Sequence, residues 1–119
     1  MIDKKTCKEL VSEEWESRQE DLEKLLKAYY EGKEDKELGD ISEYGLSIDK
    51  VEAGTFKGQR EDYIRYQFSW CGPSDELRIY KNGEMEYWYL DCFDGASVDV
   101  TNDKIAEQVK DYVMEFMSF

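Results

Sequence analysis

The sequence predicts an α+β fold: an antiparallel sheet of about four strands, with a long N-terminal helix and a C-terminal helix packed on it. Three observations carry that expectation. Apolar residues recur at helical spacing near both ends of the chain, they alternate with a period of two through the middle, and Asn82-Gly83 sits between two alternating runs. With 119 residues, the chain has room for one core, so residues 1–119 are read as a single domain.

From about Thr6 to Tyr30, Val11, Trp15, Leu22, Leu25, Leu26 and Tyr29 fall on one helical face. Gly32 lies just past the end of that stripe as a stop, and Lys33 to Gly39 reads as a charged connector. Asp40, with Glu43 three residues on, predicts one extra helical turn up to Gly45. Leu46 and Ile48 then alternate with Ser47 and Asp49 as a first strand. The second runs from Tyr63 to Cys71, with Ile64, Tyr66, Phe68 and Trp70 on one face. Gly72-Pro73-Ser74 breaks it.

Asp75 to Lys81 leads into Asn82-Gly83, the dipeptide of a two-residue type I′ hairpin. Such a turn pairs Lys81 with Glu84, Ile79 with Glu86, Arg78 with Tyr87, Leu77 with Trp88 and Asp75 with Leu90. Leu77, Ile79, Trp88 and Leu90 then form the core face. Phe93-Asp94-Gly95-Ala96 is expected to end the sheet. After Thr101 or Asn102 as cap, Ile105, Val109, Tyr112, Val113, Phe116 and Met117 trace the last helix.

Composition narrows the function classes. Histidine is absent, which removes His general bases, Ser-His-Asp and Cys-His nucleophile pairs, and imidazole zinc sites. The formal net charge is -13, so direct binding to nucleic acid is self-repelling, as is binding to an anionic membrane surface. Three cysteines, Cys7, Cys71 and Cys92, form no C-x-x-C pair and, with no secretory h-region, read as a reduced, cytoplasmic protein. No catalytic residue, cofactor site or metal site is assigned. The carboxylates Asp91, Asp94, Asp99 and Asp103 cluster in sequence, but not at calcium-loop spacing. A small metal-dependent hydrolase built on Asp91, Asp94 and Asp99 remains an alternative to a non-enzymatic protein.

Two surfaces are candidates for a partner. Glu9, Glu13, Glu16, Glu20 and Glu23 are spaced four, three, four and three, so they share about 80° of helical arc opposite the apolar stripe. Such a row is either a solvated face or a recognition surface for a basic protein. The connector acids Glu31, Glu34, Asp35, Glu37 and Asp40 and the Asp91 to Asp103 cluster could extend it. On the hairpin, the two-residue register puts Glu76, Arg78, Tyr80, Met85, Tyr87 and Tyr89 on the reverse face. Tyr and Arg are enriched at binding hot spots. That face is therefore a partner site, a homodimer seam, or a second core layer covered by a terminal helix with Arg78 stacked on Tyr87.

The segments Gly72-Pro73-Ser74-Asp75-Glu76-Leu77-Arg78-Ile79-Tyr80 and Tyr87-Trp88-Tyr89-Leu90-Asp91-Cys92-Phe93-Asp94-Gly95-Ala96 resemble a signature of small bacteriophage and mobile-element proteins, G-G-P-S-x-E-x-R followed by F-x-D-W-F-D-G-A. Cys71 stands in place of its first Gly and Cys92 in place of its Trp. The resemblance transfers no activity or catalytic residue. It implies a setting, the bacterial cytoplasm during infection, and a small acidic inhibitor of a nucleic-acid-targeting defence system, of the anti-CRISPR or antirestriction kind. An immunity protein or antitoxin that neutralises a cationic toxin is the alternative.

Overall fold

The computed structural model describes residues 5–70, 72–91 and 93–119. It is an α+β fold with one five-stranded antiparallel meander and both long helices on one face. Cys71 and Cys92, read as unpaired thiols, lie outside the described residues; Cys7 is a buried free thiol.

Helix α1 (Cys7–Tyr30) starts where Thr6 and Glu9 close a capping box: the Thr6 hydroxyl accepts from the Glu9 N–H, and the Glu9 carboxylate accepts from the Thr6 N–H. It ends at Gly32 with φ +70°, where the Gly32 and Lys33 N–H groups donate to Tyr29 and Ala28 carbonyls. Asp40 caps the single turn α2 (Ile41–Tyr44). Strands β1 (Ser47–Val51), β2 (Tyr63–Ser69), β3 (Ser74–Tyr80), β4 (Met85–Asp91) and β5 (Asp94–Asp99) follow in spatial as well as chain order. Helix α3 (Lys104–Val113) closes the chain against α1. Val11, Trp15, Leu22, Leu25 and Leu26 bury the expected stripe against the sheet and α3. Among the described residues, no helix is long and apolar enough to cross a membrane.

Four expectations are corrected. Phe93 to Ala96 does not end the sheet, because Asp94–Asp99 forms a fifth strand on β4. Its Asp-Gly-Ala-Ser-Val-Asp composition is poor in strand formers, so pairing and the α1 cover hold it rather than propensity. Trp70 does not continue the face of Ile64, Tyr66 and Phe68: a bulge between Gln67 and Ser69 brings both Phe68 and Ser69 to the helix side, the strand stops, and Trp70 is 66% exposed. The last helix is capped by Asp103, whose carboxylate accepts from the Ala106 N–H, rather than by Thr101 or Asn102. It also ends at Val113, leaving Phe116 exposed.

The fourth correction decides which side chains are available. The turn contains three residues, Lys81 to Gly83. The Gly83 N–H donates to the Tyr80 carbonyl, the Tyr80 N–H to the Glu84 carbonyl, and Gly83 takes φ +96°. This is a turn closed by a left-handed glycine bulge, not a two-residue type I′ loop. Leu77 therefore faces Tyr87 instead of Trp88, and Ile79 faces Met85 instead of Glu86. One residue of slip sends β4 side chains to opposite faces. Met85, Tyr87 and Tyr89 are buried in the core, while Trp88 and Leu90 stand on the face without helices.

Candidate functional site

All five glutamates of the α1 row, Glu9, Glu13, Glu16, Glu20 and Glu23, are exposed. Glu9 is engaged in the capping box and Glu13 pairs with Lys5 at 3.2 Å. Glu16 and Glu20 form no ion pair with a described residue. The opposite side of α1 is fixed to the fold at several points. The Cys7 N–H donates to the Asp94 carboxylate at 2.8 Å, and Trp15 packs on Tyr87 with ring centroids 5.0 Å apart. Gln19 and the Trp15 indole both donate to Asp103. The row is thus carried on a helix whose orientation is set from beneath.

The other acidic stretches are largely engaged in local structure. Asp35 accepts from the Glu37 and Leu38 N–H groups, Asp40 from Ser42, and Asp99 from Thr101, and these bonds hold all three carboxyls below the usual carboxylate range. Asp94 accepts from Cys7, and Asp103 caps α3. Among the described residues, no group of three or more Cys, Asp or Glu side chains is arranged to hold a metal ion.

The hairpin residues expected on one surface are divided between two. Tyr87 is 0% exposed, and its hydroxyl donates to Asp75 at 2.6 Å; burial beside that carboxylate drives the phenol pKa far upward. Tyr89 lies on the same covered face. Arg78 and Tyr80 stand on the open face, so Arg78 stacks on Trp88 (4.3 Å) and Tyr63 (5.0 Å), not on Tyr87. Glu76 pairs with Arg78 at 2.8 Å. Glu86 accepts from the Tyr80 hydroxyl at 2.6 Å and the Trp88 indole at 3.1 Å. Desolvation, then that carboxylate, pushes Tyr80 up to about 12.

Above this open face the β1–β2 connection, residues 52–62, folds as a strap held mainly by its own hydrogen bonds. Gln59 is its staple: its amide donates to the Val51 and Glu61 carbonyls, and its side-chain oxygen accepts from the Phe56 N–H. Between strap and sheet lies a cleft of about 580 Å³, bordered by Phe56, Arg60, Tyr63, Arg78, Tyr80 and Trp88 among others. The Tyr63 hydroxyl is the one buried side-chain polar atom among the described residues that lacks a hydrogen-bond partner.

At the opposite end of the sheet, Trp70 beyond β2 and Phe93 between β4 and β5 are both exposed, Phe93 fully. The start of α1 is bonded to that same β4–β5 turn through Asp94. Two aromatic tips therefore stand at the end of the molecule where the glutamate row begins. Sequence periodicity misses them, since Trp70 reads as sharing a strand face with Ile64, Tyr66 and Phe68, and Phe93 as part of a turn. Comparison with protein-family models, with curated proteins and with solved structures finds no match.

Proposed function

We propose that this protein is a small stoichiometric inhibitor of a host nucleic-acid-targeting defence system, of the anti-CRISPR or antirestriction kind, acting in the bacterial cytoplasm. Its acidic surface occupies a basic nucleic-acid-binding groove on a defence nuclease. The observation that carries this reading is the exposed α1 row, five carboxylates on one face of a helix whose other face is locked to the sheet. Along 14 residues the row spans about 21 Å, or roughly one carboxylate per 5 Å against one phosphate per 3.4 Å of a DNA strand. Fixed negative charge at that density attracts a cationic groove over a Debye length and speeds association.

Charge alone discriminates poorly between basic partners. Trp70 and Phe93, exposed beside the start of the row, supply the short-range contacts, because aromatic anchors bury large areas at low entropy cost. They take the place of Tyr87 and Tyr89, which are inside. No bond is made or broken in this reading.

The test is the affinity for a purified defence nuclease of the host as a function of salt. Binding weakens by about tenfold or more between low and moderate ionic strength if charge mimicry operates. An affinity unchanged across that range overturns it, as does multiple turnover of nuclease inactivation.

A further inference from the structure

We propose that the cleft between the 52–62 strap and the open sheet face binds a small planar aromatic molecule carrying an anionic group, the chemistry of a nucleobase with its phosphate. This inference stands apart from the inhibitor reading and concerns the other side of the sheet.

The cleft volume, about 580 Å³, lies in the range of small-molecule sites. Its walls come from the strap, from β2 and from the β3–β4 hairpin, so the site exists only in the folded chain. Phe56 borders it from the strap, Tyr80 and Trp88 from the sheet. Arg78 is stacked on Trp88 and neutralised by Glu76, so it holds the indole in place. The indole edge-locked by Glu86 and the guanidinium stacked on it, which itself borders the cleft, together make a rigid stacking platform.

Two strap cations, Lys57 and Arg60, border the same cleft, are exposed, and form no ion pair with a described residue. Glu61 and Glu84 also border it, so the cations act on an anionic group by contact rather than through a long-range positive field. A planar ring in the cleft has the aromatic side chains of the sheet on one side and the two strap cations on the other.

The floor supplies the independent sign of a ligand. Tyr63 is 1% exposed and its hydroxyl has no partner, although a buried hydroxyl ordinarily finds one. The tip of the strap, residues 54–58, makes its hydrogen bonds only within the strap. Its tie to the sheet runs through Gln59 to the Val51 carbonyl, so the tip can shift about that staple. A polar edge of the ring seated beneath Phe56 would then give that hydroxyl its missing partner.

The experiment uses the full chain, labelled with nitrogen-15, and the signals of its three tryptophan indoles. Trp88→Phe assigns the Trp88 signal. The probes are adenosine monophosphate, adenosine and inorganic phosphate, each up to millimolar concentration. The nucleotide should shift the Trp88 signal saturably, adenosine should bind about tenfold more weakly, and phosphate alone should leave Trp88 unmoved. Lys57→Ala with Arg60→Ala should abolish the difference between nucleotide and nucleoside, and Tyr63→Phe should weaken both, with the dispersion of the folded spectrum retained. No saturable shift with either adenine compound overturns the proposal. Equal affinity for the two, or a shift confined to Trp70, also overturns it.

Discussion

Arg18 on α1 grips Asp75 on β3 with both ends of the carboxylate, Nε to Oδ2 at 2.7 Å and Nη2 to Oδ1 at 3.0 Å. Tyr87 and Ser69 donate to the same carboxylate, and the remaining Arg18 nitrogen donates to the Tyr44 hydroxyl. Asp75 is 2% exposed, so the group ties helix, short turn and sheet together away from water.

Removing one partner of a buried pair leaves a charge without compensation, at a cost of about 3–5 kcal/mol. Arg18→Met should therefore lower unfolding free energy by about that amount in urea titration. Arg18→Met with Asp75→Asn should regain much of the loss, since the orphaned charge is gone. A double variant as unstable as the single one would show that the pair contributes through packing alone.

Alkali should unfold the protein through its tyrosines. Burial first, and then Asp21, raises Tyr44 from its ordinary 10.0 to about 12, and Tyr80 moves similarly. Tyr66 and Tyr87 shift upward further, chiefly by burial. Each favours the protonated phenol in the folded state, so its contribution is complete below pH 10 and is lost as pH rises from there toward 12. Ultraviolet titration should show exposed tyrosines ionising first and the buried set ionising together with loss of near-UV circular dichroism. Stability that is flat between pH 9 and pH 12 would contradict the sign.

Two glycines should respond to alanine for different reasons. Gly83 has open space around a Cβ, so the cost there is the left-handed φ of +96°, about 1 kcal/mol or more. Gly45 has an ordinary φ, but a Cβ would lie 2.2 Å from Tyr66 Cε1 and 2.7 Å from the Gln67 carbonyl oxygen. Gly45→Ala should cost about 1–3 kcal/mol through displaced packing. Replacing Gly83 with D-alanine by semisynthesis should restore stability, because the D enantiomer favours a positive φ.

Tyr63→Phe should leave the ligand-free protein as stable as before or more stable by about 1 kcal/mol, because it deletes a buried hydroxyl that has no partner. Tyr87→Phe, which deletes the hydroxyl bonded to Asp75, should cost about 1–3 kcal/mol. Thermal unfolding of the two variants side by side provides the check.

For the glutamate row, Glu13→Lys, Glu16→Lys and Glu20→Lys together should abolish nuclease inhibition while helix content and melting temperature stay near those of the parent. Glu9 is left in place because it closes the capping box, and its loss would confuse a folding defect with a binding one. Undiminished inhibition by this folded variant would remove α1 from the interface. Trp70→Ala with Phe93→Ala should weaken inhibition without altering its salt dependence.

The terminal helices were legible because their apolar stripes, and Gly32 as the stop of the first, are local signals, whereas the cap of the last helix was misplaced because Thr101, Asn102 and Asp103 are all capping residues in a row. The hairpin turn was legible, but its length was not. Asn-Gly serves both a two-residue loop and a three-residue loop closed by a glycine bulge, and β4 is amphipathic in either register. Tyr87 with Tyr89, or Trp88 with Leu90, makes an acceptable inner face, so only packing under α1 selects between them. Strand β5 carries little intrinsic preference and exists because β4 and α1 are already in place. The cleft joins residues from strap, β2 and hairpin, and the aromatic tips depend on where strands stop, so neither leaves a periodic trace.

The meander order also has a consequence for synthesis. Each strand pairs with the one made just before it, so the sheet can assemble stepwise as the chain emerges. Helix α1 is translated before β4, β5 and α3, the elements that cover most of its stripe. Until these are made the apolar stripe has only the short turn α2 and the first strands of the sheet to pack against. The newborn polypeptide therefore carries part of its apolar stripe uncovered until the final third is made, and a net negative charge opposes the association of such chains.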